Sequence, residues 1–434
     1  MRSRLLRRRS ATVAWIYVAV VFGILSTVVA ARVLGLAEFG VFATALAAVG
    51  FFQILLDLTV EESLTKYGFR YVSAQDWGRL RRLFRQTLLL KIAGGAGATV
   101  VLLALAPFAD RIFGSPGVGA ALLAAALLPL VQSSENVFAT AFLLHGRYDL
   151  RGAYQAASTG LRLVAVAVAA PLGVNQALAA IVVAQVIATA TITILGLAAL
   201  RRFPQAPQRA LGEDVKDIRS FVIQSSVATG VISFRTTLVP LLLGVVSGPT
   251  QVGLFRIAQT PQTGLSAASS PARLVLLTDQ TRDWEHGKES SVLVGVRGYT
   301  LWAGGLMLVA VPVFFLAMPW LVRVVFGSQY GGAVTAARIV LVAAAIQFAI
   351  GWTKSLPVTI GRPRLRIVTH GIEAVVALAL VAALGTEWGA TGAAVGVLAS
   401  SVAFAAAWAV VLGRLRAEVA ARDRESGVSE VLPS

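Results

Sequence analysis

The chain has no cysteine and only three histidines in 434 residues. Without cysteine there is no disulfide, no thiolate-ligated metal and no thiol nucleophile. His145, His286 and His370 stand far apart in sequence, and packing near helix ends is the reading for His145 and His370 rather than metal ligation. Charge is sparse as well, at 14% of residues, and acidic residues are the scarcer kind: 21 against 38 basic ones. No G-x-x-x-x-G-K-[ST] loop occurs, so the sequence carries no P-loop ATPase, and neither G-x-S-x-G nor H-E-x-x-H is present. The longest polar stretches, residues 66–85, 200–217, 278–296 and the tail after 413, are each too short to be a folded domain. These absences lead to the expectation of a non-enzyme that needs no cofactor and no metal.

What the chain does have is apolar sequence, 57% of its residues. A soluble fold cannot bury that share, whereas a bilayer takes about 20 apolar residues per helix. Period-two alternation, the mark of a membrane β-barrel, is missing. The expectation is an all-α integral membrane protein of about twelve spans: 11–31, 39–65, 86–106, 119–144, 152–171, 175–199, 218–246, 251–272, 297–318, 332–357, 367–385 and 389–413. The first apolar run follows MRSRLLRRRS and is too long for a signal-peptide core, so it reads as a retained helix.

The net charge of +17 is explained by where the arginines fall. With the N-terminus inside, nearly all basic residues outside the spans lie on the cytoplasmic side, among them Arg2, Arg4, Lys66, Arg70, Arg79, Arg81, Arg201, Arg202 and Arg362. The other side receives Arg32, Arg111 and Arg323. This is the positive-inside bias, which places both termini in the cytoplasm and makes a nucleic-acid partner unnecessary. Within the first polar stretch, Trp77, Leu80, Phe84 and Thr87 recur at helical spacing between arginines, which predicts an amphipathic helix lying on the inner leaflet over residues 73–88.

The halves repeat one another. Glu38-Phe39-Gly40-Val41-Phe42 is answered by Gln251-Val252-Gly253-Leu254-Phe255, with Gly253 213 residues after Gly40 (253 less 40). Ile112-Phe113-Gly114-Ser115 is answered by Val325-Phe326-Gly327-Ser328, and Gly146-Arg147 by Gly361-Arg362. Leu172-Gly173 is paired with Leu384-Gly385. Six spans per half make the repeat parallel, an arrangement that in transporters encloses a site between the halves. The expected division is an N-lobe, 1–200; a cytoplasmic linker, 201–217; a C-lobe, 218–413; and a cytoplasmic tail, 414–434.

On these residues the chain resembles a known family. Ala31-Arg32-Val33-Leu34-Gly35-Leu36-Ala37-Glu38-Phe39-Gly40 is similar to the first-hairpin signature of bacterial polysaccharide flippases. Val252-Gly253-Leu254-Phe255-Arg256, Val325-Phe326-Gly327-Ser328-Gln329-Tyr330 and Ile360-Gly361-Arg362-Pro363-Arg364 resemble its second-lobe marks. The chain departs from the pattern at Thr59 and in the acidic pair Glu61-Glu62. That family shares a superfamily with the multidrug and toxin extrusion (MATE) antiporters and lipid II flippases. The resemblance implies two six-helix lobes in the bacterial cytoplasmic membrane, moving a lipid-linked oligosaccharide outwards. Membrane lipids, and a glycan polymerase or glycosyltransferases, are then the expected partners. A MATE-like cation or drug antiporter using Asp57 and Glu135, and a non-transporting scaffold of a glycan assembly complex, are the alternatives.

Ionisable groups inside spans are functional candidates by default. Arg162 and Arg235 fall deep in the fifth and seventh spans, Arg256 and Arg338 in the outer third of the eighth and tenth. A guanidinium fork suits phosphate, and structural pairing is the alternative for each. Lys91 and Lys354 lie near inner ends, where snorkelling accounts for them. Asp57, Glu135 and Glu373 occupy the inner half, as partners of Lys91 or Lys354 in a gate, as proton carriers, or as structural counter-charges. Pro129, Pro240, Pro261, Pro271 and Pro312 are expected to kink their spans.

Overall fold

The computed structural model describes residues 2–56, 59–268, 288–362 and 364–429, together with 280, 283, 284 and 286. Their regular structure is entirely helical. Helix α1 (Arg2–Leu56) contains 55 residues, about 82 Å at 1.5 Å per residue, more than twice the hydrocarbon thickness of a bilayer. It must therefore turn back, and it breaks at Gly35 (φ 76°, ψ 173°). After α2 (Val60–Ser73) come α3 (Trp77–Ile112) and a segmented pass made of α4 (Val118–Ala125), α5 (Leu128–Gln132) and α6 (Glu135–Leu144). Helices α7 (Tyr148–Ala169) and α8 (Val174–Leu200) complete the first six passes.

The second six follow the same order: α9 (Asp214–Ser247), the pair α10 (Pro249–Ala258) and α11 (Thr260–Ala268), α12 (Glu289–Val325), α13 (Ala333–Ala349) with the short α14 (Leu356–Thr359), and α15 (Arg364–Ser429). The last is two passes joined at Gly389. Of the prolines, Pro129 opens α5 after a break in the fourth pass, Pro240 lies in α9 beyond a 46° bend between residues 231 and 236, Pro261 sits in the first turn of α11, and Pro312 is carried inside α12. Pro271 lies outside the described residues.

The repeat is visible in the backbone. Gly248, 213 residues after Gly35 (248 less 35), has φ 81° and ψ 167°, the same left-handed break. Gly114 and Gly327, and Gly146 and Gly361, also share positive φ. The fourth pairing does not hold: Gly173 has φ 116°, but Gly385 is inside a helix and the turn falls four residues later, at Gly389. The first matched motif is a crossing of helices. A Cβ on Gly40 would stand 2.4 Å from the Pro249 carbonyl oxygen, and one on Gly253 would stand 3.1 Å from Gly40 Cα. Only glycine lets these backbones meet.

The chain divides into two compact units, Met1–Ile257 with Arg323–Gly331 and Ala258–Val322 with Gly332–Ser434. In the first, the expected surface helix over 73–88 is absent. Asp76 caps α3 by accepting from the Arg79 amide (3.1 Å), and the helix runs on unbroken for 36 residues. That is about 54 Å, so its first turns project past a hydrocarbon core of about 30 Å. Leu80 and Phe84 turn into the protein rather than onto lipid, packing with Tyr67, Phe142, Phe203 and Leu211, and Thr87 is buried as well. Residues 201–213 are tied to the same unit. Arg81 donates to the Ala206 carbonyl (3.3 Å), the Arg209 amide to the Gly78 carbonyl (3.2 Å), and Phe203 stacks on Trp77 and His145. Asp214 then gathers Arg70 (3.1 Å) and the Tyr71 hydroxyl (2.9 Å). At the other end of this unit, Tyr330 Oη donates to the Ala31 carbonyl (2.6 Å), and Arg32 caps the end of α12 through the carbonyls of Val324 and Val325.

In the second unit, Trp352 and Trp408 meet edge to face at 5.4 Å, with Tyr299, Phe404 and Leu356 around them. The Trp352 indole donates to Thr300 Oγ1 (2.8 Å), which satisfies its one donor.

Candidate functional site

The first unit encloses a cavity of about 360 Å3 between α1, α5, α7, α8, α9 and α10. Phe39, Phe42 and Leu46 line it along the second limb of α1, and Ile181 faces them from α8. Its polar lining is Ser26, Thr27, Thr159, Thr236 and Thr237, the amides Gln53 and Gln132, and two guanidinium groups, Arg162 and Arg256. Among the described residues no carboxylate lines it. Arg256 is exposed, with its side chain on this cavity, and among the described residues that side chain makes no ion pair or hydrogen bond.

Arg162 stands in the wall shared with a smaller chamber of about 260 Å3, which also contains Lys91, Glu135, Arg151 and Tyr154. Arg162 Nε donates to Gln185 Oε1 (2.9 Å), and a second guanidinium nitrogen reaches the same oxygen. Gln185 is fully buried, and its amide donates to Glu135 Oε2 (2.7 Å) and Thr189 Oγ1 (2.9 Å). A neutral amide thus stands between Glu135 and Arg162, so the arginine is fixed in place without being neutralised by contact. Lys91, 2% exposed, forms an ion pair with Glu61 at 2.7 Å. Snorkelling therefore does not describe Lys91: its ammonium points into the chamber, and its acid comes from the Glu61-Glu62 pair. Gln53 donates to Gln132 (2.9 Å) across the boundary of the two spaces.

The second unit has its own buried network. Gln347 donates to Glu373 Oε1 (3.0 Å) and Ser401 Oγ (3.0 Å), and Gln262 donates to Gln347 (3.3 Å). His370 Nδ1 lies 3.0 Å from Glu373 Oε2, with its ring stacked on Phe404. This replaces the reading of His370 as an interfacial packing residue. Gln347 is 212 residues after Glu135 (347 less 135), Glu373 is 211 after Arg162 (373 less 162) and Ser401 is 212 after Thr189 (401 less 189). Matching passes of the two halves thus carry polar networks, but not in the register of the turn glycines: Arg162 is 16 residues after Gly146 (162 less 146) and Glu373 is 12 after Gly361 (373 less 361), about one helical turn apart.

Other candidates are dispersed. Arg338 Nε donates to the Phe315 carbonyl (2.9 Å), with its guanidinium 4.6 Å from the Phe315 ring centre. The helical partner of that carbonyl is residue 319, a proline with no amide hydrogen, so Arg338 supplies the missing donor. Structural pairing, the alternative reading, describes it. Lys354 is exposed at the end of the short turn Gly351–Lys354. Arg235 lies on α9 next to the cavity-lining Thr236, and its side chain, like Asp57 as a whole, lies outside the described residues. The residues missed in the sequence are Gln53, Glu61, Gln132 and Gln185, all uncharged or set in a polar run. Their one sequence signal is position, since an amide inside an apolar span needs a partner.

Comparison with known proteins now bears on this architecture. Over 97% of its length the chain superposes on an inward-facing multidrug resistance MATE family transporter of the MOP superfamily, covering 99% of that chain, with a TM-score of 0.69 and 14% identity. It also superposes on the lipid II flippase MurJ in an inward closed conformation, covering 99% of this chain and 94% of that one, with a TM-score of 0.72 and 10% identity. At such identities these likenesses establish the fold. In sequence, 126 residues are 34% identical to the inner membrane protein YghQ of Escherichia coli K12, a stretch covering 27% of this chain and 32% of that relative's length. Residues 6–276 match the family described as polysaccharide biosynthesis protein. This multi-pass membrane protein, with a MATE- and MurJ-like fold, belongs to the polysaccharide biosynthesis protein family.

Proposed function

We propose that the chain is a flippase that carries a pyrophosphate-linked lipid oligosaccharide from the inner to the outer leaflet by alternating access. The observation that carries this reading is the lining of the larger cavity, which offers two guanidinium groups, several hydroxyls and amides and, among the described residues, no carboxylate. Arg256 has no counter-charge among the described residues, and Arg162 is held by an amide. A diphosphate supplies the missing charge through parallel hydrogen bonds to the planar fork, while hydroxyls and amides suit sugar. A cationic cargo would be repelled by the same groups, which counts against an antiporter of cations, and a scaffold would need no such cavity. Arg235, one residue before Thr236 in the sequence of α9, is also a proposed substrate-binding residue. Glu135 and Glu373 are the gate or coupling groups, because each belongs to a hydrogen-bonded network that protonation or helix movement would break. The family and the relative named as an inner membrane protein support placement in a bacterial inner membrane.

Arg256→Ala is expected to abolish export of surface glycan at unchanged protein level and membrane insertion. Arg256→Lys should restore only part, because a point charge lacks the fork. Full export by both Arg162→Ala and Arg256→Ala would overturn this assignment.

A further inference from the structure

A third cavity of the first unit, about 320 Å3, lies at the arginine-rich ends of α3 and α8 and plays no part in the reading above. Its floor is Leu80, Phe84 and Phe203, all buried, with Trp77 beside them. Leu197, 41% exposed on the last turns of α8, continues that floor onto the face that a membrane helix presents to lipid. Its rim is cationic. Arg81 is half-buried and held by Gln205 and the Ala206 carbonyl, and Arg201 is exposed, its side chain making no ion pair or hydrogen bond among the described residues. Asp76 and Asp214, the acids on adjoining turns, are taken by Arg79 and Arg70. An apolar cleft opening sideways at the end of a membrane helix, under cations without counter-charge, matches the two parts of an anionic phospholipid.

We propose that this cleft holds one anionic phospholipid, its phosphate on Arg81 and Arg201 and an acyl chain along Leu197 and Phe84. A zwitterionic lipid leaves the rim charge uncompensated. A free phosphate leaves the aromatic floor facing water.

The test uses the full chain in nanodiscs of equal phosphatidylglycerol and phosphatidylcholine, extracted into detergent, with retained lipid counted by native mass spectrometry. Wild type is expected to retain phosphatidylglycerol selectively. Enrichment should fall roughly fivefold for each arginine removed in Arg81→Gln/Arg201→Gln. Arg414→Gln/Arg416→Gln, an equal charge change elsewhere, should leave it unaltered. Leu197→Trp fills the cleft while keeping the charges, and should also reduce retention. Equal retention of both lipids by wild type, unchanged enrichment in the Arg81/Arg201 variant, or full retention in Leu197→Trp would overturn the proposal. Displacement of the lipid by inorganic phosphate would do the same, as it would show a site for the free anion. If Arg81→Gln does not fold, Arg201→Gln alone carries the test, because Arg201 has no described partner to lose.

Discussion

Lys91 and Glu61 show how much a single pair matters inside this protein. The lysine is 2% exposed and its acid 25%, so removing one partner leaves the other charge in a poorly solvated space. Lys91→Met is expected to destabilise the protein by about 2–3 kcal/mol, below the upper end for buried pairs because Glu61 is partly exposed. The double variant Lys91→Met/Glu61→Gln should recover most of that loss, and thermal unfolding in detergent measures both. If the double variant is as unstable as the single, the pair is not what Lys91 contributes. Pairing of this kind is hard to read from sequence. Charge and depth can be counted along a chain, but Glu61 and Lys91 meet only because α2 packs on α3, and the Glu61-Glu62 pair looked like a departure from a pattern. Arg256 was found because an isolated arginine inside an apolar run is conspicuous. Gln185, which orients Arg162, was not, because an uncharged amide raises no flag in hydropathy.

Among the elements, the crossing of the second limb of α1 with α10 depends on the absence of side chains. Gly40→Ala would push a methyl to 2.4 Å from the Pro249 carbonyl oxygen, a backbone atom that cannot rotate away. We expect a loss of at least 1–3 kcal/mol, the usual range for overpacking, read as a lower thermal midpoint and less folded protein in the membrane. Gly298→Ala, where nothing lies within 4 Å of the added methyl, should be silent. Comparable stability of the two variants would contradict the crossing. The order of the passes was legible because membrane helices announce themselves by length and hydropathy, and the turn glycines by their repeat spacing. The amphipathic run at 73–88 was misread for a physical reason. An apolar stripe at helical spacing is the same whether it faces lipid or protein, and here α2, α6 and Phe203 cover it.

At the scale of the whole molecule, the arginine bias predicts which side residues 201–213 face. The chain has no native cysteine, so Gln205→Cys gives a single site in an exposed position. An impermeant maleimide should label it in inverted membrane vesicles and leave it unlabelled in intact cells. Labelling in intact cells would reverse the topology and place both termini outside.

The repeat-related networks have a consequence for descent. Two identical six-pass subunits, paired as a symmetric dimer, must carry the same residue at equivalent positions. The networks on matching passes are unlike: arginine, amide and acid meet around Arg162, and amide, acid and histidine around Glu373. A single unduplicated gene cannot encode that difference. Fusing two copies into one reading frame removes the constraint, since each half then mutates alone. The unlike networks around residues 162 and 373 are thus a property open only to a chain that carries both halves in one reading frame.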